Sequence, residues 1–110
     1  MNDAVEVAKT ESAFREVNEA IADTAAKMDA DEAEFVCECA DVECAHRIEA
    51  QLEEYERVRK DPTRFLLKLG HERPRWERIV GLTPRYAIVE KFESTVALIA
   101  RRLDPRAERA

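Results

Sequence analysis

The chain has 110 residues, of which 45% are hydrophobic and 38% charged, and a formal net charge of −6. That length fits a single domain spanning 1–110 with a modest core, and no apolar run is long enough for a membrane span. A pI near 5.0 argues against a general nucleic-acid binder.

Met1-Asn2-Asp3-Ala4-Val5-Glu6 has no basic segment followed by an apolar one, so no secretory signal is visible. Clustered thiols without such a signal fit a reducing cytoplasm. The charge is polarised along the chain. Residues 1–56 hold four basic and seventeen acidic side chains, a net of −13. Residues 57–110 hold fourteen basic and seven acidic ones, a net of +7. Solvated surface and complementary packing between the halves account for this. Arg73, Arg75, Arg78 and Arg85 form a local basic cluster, the alternative for nucleic-acid contact, but nucleic acid is not an expected partner.

Residues 1–10 read as frayed or weakly helical. Residues 11–28 read as an N-terminal helix, with Val7, Phe14, Ile21 and Met28 recurring every seven positions and Val17 between them. Thr10 and Thr24 hold the equivalent intermediate positions. This narrow stripe has a 3.5 period. Packing on its own domain is the expectation, and self-association or a protein partner through this helix is the sharper alternative.

Residues 34–92 form a core built on a cysteine hairpin. A strand over 34–37 puts Cys37 and Cys39 on one face, because residues i and i+2 of a strand point the same way. Ala40-Asp41-Val42-Glu43 supplies a turn and Cys44 returns from the other side. Three thiolates from one hairpin suit a soft tetrahedral site of the zinc type. The fourth ligand is one of two histidines. His46 completes a local Cys-x-Cys-x4-Cys-x-His order, similar to SWIM-type zinc modules with a shorter middle spacer. His71 lies in Gly70-His71-Glu72, after a strand, and would tie a distant segment to the hairpin. Three buried thiols without metal, redox thiols and an iron–sulfur cluster are the alternatives. A disulfide framework is disfavoured, since three cysteines within eight residues would staple almost nothing.

Arg47-Ile48-Glu49-Ala50 reads as the returning strand, and Leu52, Tyr55 and Val58 as a short helix over 51–60 that Asp61-Pro62 stops. Residues 64–69 read as a strand with Phe65, Leu67 and Leu69 on one face, closed by Gly70. Pro74 suits the first turn of a second short helix running to Val80, with Trp76, Ile79 and Val80 inward and Gly81 as its left-handed cap. Residues 86–92 read as a strand. Residues 94–103 read as a C-terminal helix with Val96, Ile99 and Leu103 inward, followed by a loose tail from Arg106. The expected order is α-β-β-α-β-α-β-α. It makes an α+β fold, a small and mostly antiparallel sheet of three to four short strands with helices on one face.

Several of these segments together resemble a family of small bacterial proteins of uncharacterised function. They are Phe14-Arg15-Glu16-Val17-Asn18-Glu19, Phe35-Val36-Cys37-Glu38-Cys39-Ala40-Asp41, Glu54-Tyr55-Glu56-Arg57-Val58-Arg59, Asp61-Pro62-Thr63-Arg64-Phe65, Gly70-His71-Glu72 and Arg85-Tyr86-Ala87-Ile88-Val89-Glu90-Lys91. The resemblance runs over nearly the whole chain, through Leu103-Asp104-Pro105-Arg106. It implies that the three cysteines and the Gly-His-Glu turn belong together, which makes His71 the expected fourth ligand and His46 the alternative.

No catalytic set is legible. Glu38 and Glu72 adjoin the candidate ligands but read as surface carboxylates, since such residues are mostly exposed. Cys39 with His46 or His71 as an activated thiol lacks an orienting third group. There is no phosphate-binding glycine loop. The expectation is a non-catalytic, zinc-stabilised binding or regulatory module. A thiol-based metal or redox sensor is the first alternative, and a small zinc hydrolase or thiol enzyme the second.

Overall fold

The computed structural model describes residues 3–107. Helix α1 (Asp3–Lys27) is followed by strands β1 (Glu32–Val36) and β2 (Arg47–Gln51), helix α2 (Leu52–Val58), strands β3 (Arg64–Leu67), β4 (Glu77–Leu82) and β5 (Ala87–Lys91), and helix α3 (Ser94–Arg102). The class is α+β, with a helix towards each end. The strands form two antiparallel sheets, β1-β2 and β3-β5-β4, with β5 central in the second.

α1 starts earlier than the sequence suggests. Asp3 and Glu6 in its first turn and Lys27 in its last complement the helix dipole. Its end is a Schellman turn. Asp29 is left-handed at φ 56°, Asp29 N–H donates to Ala26 O at 3.1 Å and Ala30 N–H to Ala25 O at 2.9 Å. The buried face also differs from the expected one. Ala4, Ala8, Glu11, Arg15, Asn18, Ala22 and Ala25 are buried, a strict 4-3 spacing one stripe away from Val17 and Met28. Small alanines let α1 approach β1 and α3 closely. The polar members of the stripe find partners: Arg15 donates to Pro62 O at 2.6 Å and Ala100 O at 2.7 Å, and Lys91 Nζ lies 2.6 Å from Glu11 Oε1.

The segment expected to be a second short helix is strand β4. Pro74 and Gly81 mimic helix punctuation, but cross-strand pairing overrides them. Glu77 lies opposite Lys91 and Arg78 opposite Glu90, and both pairs are ionic. Trp76 is buried, whereas Ile79 and Val80 are exposed. Gly81 follows a register shift after Ile79, and a Cβ there would meet Ile88 Cδ1 at 3.2 Å.

β3 is buried on both faces through Phe65, Leu66 and Leu67, and Leu69 is exposed. Phe35 stacks on Tyr55 with ring centroids 4.5 Å apart, joining β1 to α2 in the main core. Glu93 caps α3 by accepting from Thr95 N–H at 3.1 Å and Val96 N–H at 3.0 Å. Val96 and Ala100 of α3 are buried, Ile99 is half-buried, and Leu103 is exposed. Arg106 is held rather than loose: it pairs with Glu19 at 2.5 Å and Glu56 at 2.7 Å. Residues 108–110 of the expected tail lie outside the described residues. The acidic and basic halves thus meet in the interior as well as at the surface. No helix among the described residues is long and apolar enough to cross a membrane.

Candidate metal centre

The two sheets meet where the chain leaves β1. β3 is an edge strand, and the segment Cys37-Glu38 lies along its open side. Glu38 N–H donates to Leu66 O at 2.8 Å, Leu66 N–H donates to Glu38 Oε1 at 2.8 Å, and Lys68 N–H donates to Cys37 Sγ at 3.1 Å. The first cysteine is therefore hydrogen-bonded to the end of β3. The next turn, closed by His71 N–H to Lys68 O at 3.1 Å, carries His71. Gly70 makes that turn possible at φ 85°, a conformation that costs other L-residues free energy.

Asn18 holds the hairpin from the other side. Its amide donates to Val36 O at 2.8 Å and to Glu38 Oε2 at 2.7 Å, and accepts from Val36 N–H at 2.8 Å. Glu38 is fully buried and is no surface carboxylate. Burial pushes its pKa up, while the hydrogen bonds from Asn18 and Leu66 pull the other way. Asn18 binds the backbone of the hairpin at Val36, and the Glu38 carboxylate ties the hairpin to Asn18 of α1 and to Leu66 of β3.

Cys37, Cys39, Cys44 and His71 converge. One ligand atom from each lies within 4.8 Å of every other. His71 Nδ1 is 3.6 Å from Cys37 Sγ and 3.7 Å from Cys44 Sγ. A tetrahedral zinc with ordinary bond lengths places sulfur and nitrogen ligands ~3.6 Å apart. The set therefore fits a four-coordinate ion, and three sulfurs with one imidazole nitrogen favour a soft or borderline metal. Cys37 and Cys39 are buried, Cys44 and His71 half-buried. Without an ion, burial pushes the pKa of the Cys37 thiol well up and raises that of Cys39. A bound cation inverts that logic, because a coordinating thiol is deprotonated.

His46 stays outside the cluster. It is exposed, and its ring packs edge-on against His71 with centroids 5.0 Å apart. Its carbonyl accepts from Cys37 N–H at 3.2 Å. A shallow pocket of about 270 Å³ opens beside the cluster, lined by Cys39, Asp41, Gly70, His71, Glu72 and Arg73. Glu72 lines it and is only half-buried.

Comparison with protein-family models, with curated proteins and with solved structures gave no match. The site therefore has to be interpreted from its own chemistry. Sequence patterns pointed to the four clustered side chains but missed Asn18 and Glu38. One signal was available for Asn18: it sits on the 4-3 alanine spacing of α1, where a buried amide must find partners. Nothing in the sequence distinguishes Glu38 from an exposed glutamate.

Proposed function

We propose that this protein is a non-catalytic binding or regulatory module whose fold is completed by one zinc ion held by Cys37, Cys39, Cys44 and His71. The supporting observation is the convergence of three thiols and one imidazole at the junction of the two sheets. Four protein ligands fill a tetrahedron and leave no position for an activated water, which is the mark of a structural rather than a catalytic zinc. This disfavours the hydrolase alternative. The metal's contribution is folding free energy, added to a small core. A reducing cytoplasm, where thiolates persist, is the proposed compartment. Membership in the small bacterial family that the sequence resembles belongs to the same proposal.

Elemental analysis of purified protein, with thermal melts before and after chelation, is the test. The expected result is about one zinc per chain and a fall in melting temperature of roughly 10 °C or more after chelation. Metal-free protein with an unchanged melt would sink the proposal. The ligand set is tested separately. His71→Ala should weaken zinc affinity by roughly 100-fold or more, and His46→Ala, a neighbour of the ligand, by roughly tenfold or less.

A metal- and redox-responsive sensor is the second reading, favoured by the open pocket at Cys39. Hydrogen peroxide would oxidise two thiolates to a disulfide and be reduced to water, releasing the zinc. Zinc release by mild peroxide, reversed by a thiol reductant, would move the assignment to this reading.

A further inference from the structure

Because α1 buries its alanine-rich stripe, the neighbouring apolar stripe is left half outside. Val17 is 46% exposed and Met28 75%. With Ile21 and Ala33 they line an apolar groove of about 600 Å³ between α1 and β1. The groove runs beside a strand edge, since β1 pairs with β2 alone. Cys37 N–H donates to His46 O across that pair. Backbone groups alternate along an antiparallel strand. Odd-numbered residues therefore face β2, and Glu32, Glu34 and Val36 face the open edge. At Val36 the edge is closed by the Asn18 amide. At Glu32 and Glu34, among the described residues, no element pairs with it.

We infer that this edge accepts an extended peptide segment from a protein partner, with side chains alternating between apolar and basic. Two N–H and two C=O groups are presented in strand register, the arrangement used in β-augmentation. The apolar side chains enter the groove beneath Val17, Ile21 and Met28. The alternate ones project on the face of Glu32 and Glu34, which are both exposed. Glu32 and Glu34 put two carboxylates on that face, and residues 29–43 contain no basic side chain, so it selects positive charge. A second copy of this chain is the wrong occupant. Antiparallel pairing of two β1 edges through these groups sets glutamate directly opposite glutamate, and like charges in that position destabilise a sheet. The inference rests on the reading of the protein as a binding module, but not on the metal's identity.

The test is titration of the full chain with a capped seven-residue peptide alternating lysine and valine, followed by amide NMR shifts and hydrogen exchange. Glu32 and Glu34 amides are expected to shift and gain protection. The double variant Glu32→Lys, Glu34→Lys should bind roughly tenfold more weakly, since each cross-strand charge pair changes from attractive to repulsive. Both positions are exposed, so zinc content and melting temperature of the variant should match those of the parent chain. Unaffected amides at millimolar peptide, or equal affinity of the variant, would overturn the inference. So would a dimer in sedimentation that the double variant abolishes or tightens, because the edge would then belong to a second copy. Metal-free protein that melts unchanged and still binds the peptide would leave this inference standing while removing the metal proposal.

Discussion

Lys91 lies between the carboxylates of Glu11 and Glu77, and none of the three side chains touches solvent. The ammonium also sits 4.8 Å from the centre of the Phe65 ring. One positive charge cannot neutralise two buried carboxylates, so one of them keeps a proton more readily than usual. Burial is the main cause that lifts Glu11 to about 8 from its ordinary 4.5, and Lys91 opposes it. A carboxyl with a raised folded pKa stabilises the fold while protonated. Its contribution is complete below about pH 4.5 and is lost as pH rises through about 8. The slope of stability against pH over this range approaches about −1.4 kcal/mol per pH unit. Glu11→Gln should flatten that slope in urea-unfolding curves collected from pH 5 to 8. An unchanged slope would show that Glu11 titrates normally in the folded protein. Lys91→Met, by contrast, strands two buried acids and should cost about 3–5 kcal/mol.

At the scale of elements, the candidate metal centre takes its histidine from a turn. Gly70 adopts φ 85° with nothing within 4 Å of a would-be Cβ. A substitution there therefore meets backbone strain and no clash. Gly70→Ala should destabilise the fold by about 1–2 kcal/mol and weaken zinc binding by displacing His71, with Gly70→Asn milder on both measures. Isothermal titration with zinc and a urea melt would check this, and affinity in Gly70→Ala equal to that of the parent chain would mean that the turn does not set the position of His71. The elements were unevenly legible. β1, β2, α2, β3, β5 and α3 follow local patterns and stand close to where those patterns put them. β4 does not, because Pro74 and Gly81 carry helix punctuation while the decisive partners, Glu90 and Lys91, are distant in sequence. α1 was recognised as a helix, but of its expected inward stripe Val7 is buried and Ile21 packs on the core while Val17 and Met28 are exposed. Its apolar stripe is the obvious one, yet Arg15 and Asn18 are buried because their acceptors lie at Ala100 and Val36, which no local pattern encodes. The three cysteines were visible because they crowd into eight residues; the residues alone left His46 and His71 both open, and the family resemblance favoured His71. The buried Glu38 and Asn18, which tie the hairpin to β3 and α1, were invisible because the same residue types are common on surfaces.

At the scale of the molecule, the cysteine hairpin connects two sheets that share no strand-to-strand pairing. Removing the proposed ion should therefore loosen both sheets together. Hydrogen exchange after chelation is expected to lose protection at Leu66 as well as at Cys37. Loss confined to residues 37–46 would mean that the ion supports a loop and not the fold. α1 spans the same junction and carries a further consequence. Arg15 and its acceptor Ala100 are 85 positions apart, and the Glu11 carboxylate waits for Lys91. At ~5–20 residues per second, a ribosome needs roughly 4–17 s to make that separation. Through this interval Glu11 lacks Lys91 and Arg15 lacks Ala100, with Pro62 O as its one earlier acceptor, and the three thiols emerge before His71. Vectorial synthesis thus delays closure of α1 to the last segments of the fold, and a chaperone or early zinc ion would meet the chain in that open form.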